Sequence, residues 1–367
     1  DVERSRGLGD VYKRQTYINK ERKMKRFSII FLCITLVLLL LWQLPWCYTF
    51  FAAKPSRTPF SMYSCVIGDF LSMGYEESVG LIRRDQSGNN YTQEQTDSIL
   101  PLFYVRQLMS DERFPDSLMG VPVSPRQVQI TNFNFRVSAA DINAPSVPLY
   151  PLLESMSGRV DLKMPDDVFR ITPHGIEFIV MENNTIDQEK SKVFTEVLKK
   201  KEFRFPAQYV AGNPSTRKEY DEGYLILDAE GKLFHMKQTQ GRPYVRAIPL
   251  PEGLNAKYLF ITEFQDRKTL GYITDVNNNF YVLKNKTYEV IKTGLPSYNP
   301  ETDNFSIFGN MFDWTVCVTT DTAEEYYALD ADDYSLIKSV SFPTSSNGMS
   351  GLRFTSYKDK FVKPRFF

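Results

Sequence analysis

Residues 27–53 contain no charged side chain, and 27–41 reads FSIIFLCITLVLLLL, apolar apart from Ser28 and Thr35. A bilayer core needs about 20 apolar residues in a helix rising about 1.5 Å each, so this run with its flank is long enough to span one. Trp42, Trp46 and Tyr48 cluster at its far end, where amphipathic rings favour the membrane–water interface. Pro45 is expected to end or kink the helix there. Lys25 and Arg26 precede the run, and Lys54 and Arg57 follow it. With the amino terminus added, the bias favours an inside N-terminus. The expectation is a single-pass protein of the cell inner membrane with its C-terminal domain in the periplasm. A cleaved signal peptide is the first alternative, but the run is long for one, and Phe51-Ala52-Ala53 puts a bulky ring where cleavage wants a small residue. A lipoprotein at Cys47 is the second, and Leu44-Pro45-Trp46 lacks the small residues it needs.

Ahead of the run, Asp10-Val11-Tyr12-Lys13-Arg14-Gln15 is what GAT GTG TAT AAG AGA CAG encodes, a string that resembles the end of a transposon adapter used in sequencing libraries. Residues 1–23 are therefore read as an adapter or upstream-translation artefact that carries no fold. The expected organisation is an anchor over 24–53, a mixed membrane-proximal segment over 54–160 that packs on the β domain, and a repeat-hairpin β domain over 161–367.

Lys+Arg and Asp+Glu number 44 each, which offers no general attraction to nucleic acid, and none is expected as a partner. The chain has 27 Phe and 21 Tyr against 2 His, an aromatic excess expected of strands. Cys33, Cys47, Cys65 and Cys317 are too dispersed for a zinc cluster, and Cys65–Cys317 is the one disulfide open to the outer domain.

In 54–160, Thr92-Gln93-Glu94-Gln95 has capping-box form. Pro101 suits the first turn of a second helix carrying Leu102, Phe103, Val105, Leu108 and Met109, which the stretch at 110–115 stops. From about Arg159 strands alternate with turn signals. Four segments align: VFRITPHGIEFIV at 168–180, YLILDAEGKLFHM at 224–236, GYITDVNNNFYVL at 271–283 and CVTTDTAEEYYAL at 317–329. Each is a β-hairpin signature, with turns near 172, 228, 275 and 321. The longer first gap has a local cause, an inserted helix over 187–201 with acidic residues at its start, Lys199–Lys201 at its end, and one apolar stripe of Val193, Phe194, Val197 and Leu198. A period of about 40 to 50 residues is that of propeller blades. The fold class is thus mainly β: an N-terminal transmembrane helix, then a β-propeller-like domain with a few short helices. Segment 54–160 and a C-terminal strand at 352–357 are available to complete a ring; an open stack is the alternative.

Several motifs invite chemistry and fail. Ser215-x-x-Lys218 and Lys292-Thr293-Gly294 stand in the order of penicillin-binding enzymes, but no serine lies between 219 and 292 to supply the third element. Asp275-Val276-Asn277-Asn278-Asn279 begins like a calcium loop, yet Phe280 replaces the required glycine and Lys286 the bidentate glutamate, so a polar turn is expected. Asp228-Ala229-Glu230-Gly231 is likewise a turn with Gly231 at positive φ. His174 reads as a turn residue and His235 as a strand residue, without partners for a metal. No phosphate-loop, dinucleotide, hydrolase-elbow or zinc-protease signature occurs. Asn183-Asn184-Thr185 and Asn285-Lys286-Thr287 fit the glycosylation sequon. No catalytic, cofactor-binding or metal-binding residue, and no cofactor, is assigned.

The stretches 54–60 (KPSRTPF), 149–171 (LYPLLESMSGRVDLKMPDDVFRI), 203–208 (FRFPAQ) and 309–316 (GNMFDWTV) carry a likeness. Through them the chain resembles a family of Bacteroidales proteins that bear a domain of unknown function, type 4857, behind an N-terminal anchor. The resemblance covers nearly the whole chain after the anchor and implies no site residue. It does imply a neighbourhood of ABC-transporter components. The expectation is a membrane-anchored, non-enzymatic accessory or binding protein of the envelope, with its ligand open. The alternatives are an envelope hydrolase using carboxylates such as Asp166, Asp167 and Glu177, or a structural scaffold.

Overall fold

Helix α1 (Val2–Phe51) has no proline before Pro45, and its stretch Arg22–Phe51 is long and apolar enough to cross a membrane. The computed structural model describes residues 2–51, 58–76, 78–155, 161–344, 349–356 and 358–366. Lys54, Arg57, the Ala52-Ala53 pair, the change of texture at Arg159 and Tyr357 lie outside them. Residues 2–23 are helical and continuous with that stretch, and the helix runs through Pro45 to Phe51. The turn around Pro45 is supported from the next one, where the Thr49 hydroxyl donates to the Pro45 carbonyl at 2.7 Å.

Residues Asp1–Ser56 and Ser345–Phe367 form one unit and Arg57–Thr344 another. In the first, Leu352–Thr355 pairs with Lys363–Phe366 as a hairpin. The expected C-terminal strand is therefore a hairpin of the helix unit and completes no ring; its partner is the next segment of chain rather than a repeat sheet.

In the second unit, β1 (Phe60–Ser64), β2 (Asp69–Glu76) and β3 (Gly80–Asp85) make an antiparallel sheet. Helices α2 (Gln93–Ile99) and α3 (Val105–Ser110), a short hairpin of β4 (Ser117–Leu118) and β5 (Val121–Pro122), and α4 (Pro125–Thr131) lead to β6 (Phe133–Val137) and α5 (Ala139–Ile142). Then come β7 (Asp167–Ile171), β8 (Ile176–Val180) and β9 (Thr185–Asp187), a second meander, followed by α6 (Gln188–Lys200). Three four-stranded meanders follow. They are β10 (Tyr209–Gly212) with β11 (Tyr224–Leu227), β12 (Leu233–Thr239) and β13 (Arg242–Ile248); β14 (Ala256–Ile261) with β15 (Thr269–Asp275), β16 (Phe280–Lys284) and β17 (Val290–Lys292); and β18 (Asn304–Gly309) with β19 (Asp313–Thr319), β20 (Ala323–Asp330) and β21 (Leu336–Pro343).

The four expected hairpins form as β7–β8, β11–β12, β15–β16 and β19–β20. Their strands alternate between two cores. Tyr224 and Ile226 of β11 face the sheet of β7–β9 and α6, while Leu225 and Leu227 face the next meander. In β16, Tyr281 and Leu283 face back and Phe280 and Val282 face forward, to Trp314 and Val316 of β19. Tyr326 and Ala328 of β20 then meet Tyr63 and Phe70 of the first sheet. This succession of meanders packed face to face is propeller-like. Among the described residues, no apolar cluster joins the sheet of β1–β3 to that of β7–β9.

Strand β6 adds to the edge of the last meander, pairing antiparallel with β18 from Val137–Phe305 to Phe133–Gly309. Its Phe133 stacks on Phe264 at 4.2 Å, and Phe135 meets Tyr272 edge-on at 4.8 Å.

The helices follow their local signals. Thr92 and Gln95 close the capping box of α2, and Asp187 Oδ1 caps α6 by accepting from the Lys190 N–H at 2.9 Å. The second helix starts later than expected. Pro101–Tyr104 form a turn, because the Phe103 and Tyr104 N–H groups both return to the Leu100 carbonyl, and α3 begins at Val105.

One turn recurs. Asp275 Oδ1 accepts from the N–H of Asn277 and of Asn279, both at 2.9 Å, and Oδ2 accepts from Asn279 Nδ2 and the Tyr281 hydroxyl. Asp85 does the same with Asn89 and Tyr91, and Asp228 Oδ1 receives the Glu230 and Lys232 N–H groups. The positive φ each turn requires falls on Gly88, Gly231 and Asn278. Burial raises the Asp275 pKa, but these hydrogen bonds outweigh it and hold the carboxyl below its ordinary range. Its stabilisation is therefore present at neutral pH and is lost as pH falls through the depressed folded value. Asp275→Ala is expected to lower stability by about 2–4 kcal/mol at pH 7 and by less at pH 3, in urea titrations.

Candidate functional site

The segment GNMFDWTV that carries the family likeness is the β18–β19 hairpin. Asn310 is an Asx turn: its Oδ1 accepts from the N–H of Phe312 at 2.7 Å and of Asp313 at 3.0 Å, and its Nδ2 donates to Asp313 Oδ1 at 3.1 Å. Asp313 is thereby held at the start of β19, only 2% exposed.

That carboxyl lines a cavity of about 300 Å³. One wall is β1, fixed to β19 where the Tyr63 N–H donates to Thr315 Oγ1 at 3.0 Å. Another is the 99–103 turn, held by the Ser64 hydroxyl on the Ile99 carbonyl and by Asn132 Nδ2 on the Leu102 carbonyl at 2.6 Å. The lining is mostly apolar, with Met62, Leu100, Leu102, Phe103, Phe133 and Phe308. Gly309 is required here, because a Cβ on it would come within 2.2 Å of the Phe133 ring. Burial pushes Asp313 up to about 7, Asn310 opposes, and Asp330 on the paired strand adds to the rise. Cys65, also in the lining, is pushed up to about 11 by burial and then by Asp313, so it is a thiol at neutral pH. Neither Cys65 nor Cys317 is in a disulfide. A mostly apolar cavity with a few polar groups, one of them a buried carboxyl of shifted pKa, is the form of a ligand site.

A second cleft, about 600 Å³, opens between β6, β10 and β14. Its polar groups are committed to one another. Lys218 Nζ donates to Asp221 Oδ1 at 2.6 Å, to Glu263 Oε1 and to the Asn213 carbonyl, which uses all three of its protons. Burial raises the Glu263 pKa, and Lys218 opposes it.

The sequence-stretch candidates are dispersed. Ser215 only accepts the Arg217 N–H in a turn at 3.2 Å. Asp167 pairs with Lys190 at 2.6 Å and Glu177 with Arg170 at 2.7 Å. The β7–β8 register, Asp167 opposite Val180 and Arg170 opposite Glu177, puts those two carboxylates on opposite faces of the sheet. His174 lies exposed in its turn, as read. His235 is fully buried in β12, with Nε2 2.6 Å from the Glu222 carbonyl and Nδ1 2.8 Å from the Tyr288 hydroxyl. A carbonyl only accepts, so Nε2 carries the proton and Nδ1 accepts from Tyr288. Burial lowers its pKa to about 4, which keeps the ring neutral. Asp313, by contrast, gave no signal beyond its place in the GNMFDWTV stretch.

Lys218→Met leaves Asp221 and Glu263 buried without their cation. A stability loss of about 3–5 kcal/mol is expected in chemical denaturation, against little change for the exposed Lys192→Met.

No curated protein matches the chain. Among solved structures it is similar to PorZ, a surface component of the type-IX secretion system of Porphyromonas gingivalis, at 12% identity and a TM-score of 0.25, over 86% of this chain and 33% of that one. It is similar to the β-propeller domain of Cps50 (Swd1) from Myceliophteria thermophila at 8% and 0.27, over 58% and 61%. The WD40 domain of SCAP from fission yeast follows at 10% and 0.32, over 83% and 78%. The chain spans about a third of the first of these and under two thirds of the second. A family model, "Domain of unknown function (DUF4857)", matches residues 60–329, from the first strand of the first sheet to the end of the Asp313 sheet's third strand, and the chain belongs to that family.

Proposed function

We propose that the chain is a membrane-anchored, non-enzymatic binding protein of the envelope. In this reading α1 crosses the inner membrane once, residues 58–344 stand in the periplasm, and the Asp313 cavity takes a compact, mostly apolar molecule that presents a hydrogen-bond donor. The observation that carries it is Asp313, a carboxyl only 2% exposed that Asn310 holds in the lining of a mostly apolar cavity. A donor on a ligand would hydrogen-bond that carboxyl in a low-dielectric setting. A non-catalytic role is supported by the engagement of the basic groups that acid–base chemistry draws on: Lys218 is triply bonded and His235 is locked neutral. Action as an accessory to an ABC transporter follows from the family resemblance and belongs to the same proposal.

Full-length tagged protein extracted from membranes is expected to bring down a transporter component in stoichiometric amount. Protease is expected to cut residues 58–344 once the outer membrane is opened. Absence of any stoichiometric partner overturns the accessory role, and cleavage only after lysis overturns the placement. For the cavity, 2-phenylethylamine is expected to raise the melting temperature, and Leu102→Trp, which fills the space, to abolish the rise. An equal rise in that variant excludes the cavity as the site.

The pH dependence is also set by Asp313. Its folded pKa lies above its ordinary 3.8, so its contribution is complete below about pH 4 and is lost as pH rises through about 7. The stability of wild type relative to Asp313→Asn is expected to fall across that window, by up to about 1.4 kcal/mol per pH unit, in denaturant titrations.

A further inference from the structure

We propose that the C-terminal hairpin is a second membrane contact, lying in the interface at the far end of the α1 span and binding anionic phospholipid headgroups. The inference rests on the reading of α1 as a membrane span and goes beyond it. A helix from Phe27 to Trp46 covers about 30 Å, the thickness of a hydrocarbon core. Residues 41–46 therefore lie at the far interface, and that is where the hairpin is packed. The Trp42 ring meets Phe354 edge-on at 5.2 Å. A Cβ on Gly351 would come 2.2 Å from Pro45 Cγ and 2.9 Å from the Leu41 carbonyl oxygen, so only glycine lets the hairpin backbone approach the helix this closely.

What the hairpin presents fits that depth. Phe354, Phe361, Val362 and Phe366 are 50–71% exposed, an apolar display that the surface of a soluble domain seldom carries. They are interleaved with Arg353, Lys358, Lys360, Lys363 and Arg365 against the single acid Asp359. Asp359 is shared by Lys363, at 2.8 Å, and Arg365, so the segment keeps an excess of four positive charges. Aromatic rings at the headgroup–acyl boundary with long basic side chains reaching to phosphate is the chemistry of an interfacial anchor.

The test is photo-crosslinking of the full-length protein in native membranes, with benzoylphenylalanine placed at Phe361, at Leu36 within the span, or at the exposed Tyr75 of β2. Adducts with anionic phospholipid are expected from Phe361, lipid adducts of any headgroup from Leu36, and none from Tyr75. Lys358→Glu, Lys360→Glu and Lys363→Glu together are expected to reduce the anionic-lipid adduct at Phe361 by about tenfold or more and to leave the Leu36 adduct unchanged. Lipid at Leu36 with protein or nothing at Phe361 overturns the hairpin contact alone. No lipid at Leu36 overturns the anchor on which it rests.

Discussion

Every four-stranded sheet in this chain has two apolar faces, and that is the constraint from which the rest follows. A sheet whose strands read Tyr224-Leu225-Ile226-Leu227, buried at every position, cannot turn either side to water. Fully burying a large apolar side chain contributes about 1.5–3 kcal/mol, and β11 and β15 collect that on both faces only if each has a neighbour on each side. The cores therefore form a series of their own, from the β7–β9 sheet through the three meanders to the β1–β3 sheet. The aromatic excess is spent there: Tyr272, Phe280, Phe305 and Trp314 fill one interlayer with ring contacts of 4.9–6.1 Å.

Much of this was legible because it is local. The four hairpins, the capping box at Thr92 and the helix that begins after Asp187 each depend on residues within a few positions of one another. The Asp275 and Asp228 turns were also read correctly as turns. The Asp85 turn was not, although Asp85, Asn89 and Tyr91 repeat the spacing of Asp275, Asn279 and Tyr281, because the intervening residues share nothing else. What could not be read is whatever joins distant segments. Nothing in Phe133–Val137 announces that it pairs with a strand some 170 positions later, and nothing in Pro101 shows that the chain makes a turn there before α3.

The cavity around Asp313 has the same origin. Its walls come from β1, the 99–103 turn, β6 and β18, so its contents are fixed by tertiary contact and not by a motif. Two polar groups elsewhere in the unit form closed sets, Lys218 with its oxygens in the cleft and His235 between Glu222 and Tyr288. Low dielectric makes such sets rigid when complete and costly when one member is missing. Asp313 differs from both in lining a mostly apolar cavity.

The β6–β18 pairing bears on how the molecule is made. Synthesis delivers α1 first, then β1 to β6, and the edge that β6 needs does not exist until residues 304–309 have emerged. Phe133 and Phe135, which end up against Phe264, Trp314 and Tyr272, must wait for all of those partners. Contacts between segments so far apart slow folding, and the delay falls on a strand with bare apolar rings. The chain thus carries an unsatisfied apolar strand through most of its assembly, so this topology is exposed to misassociation more in the making than in the finished state.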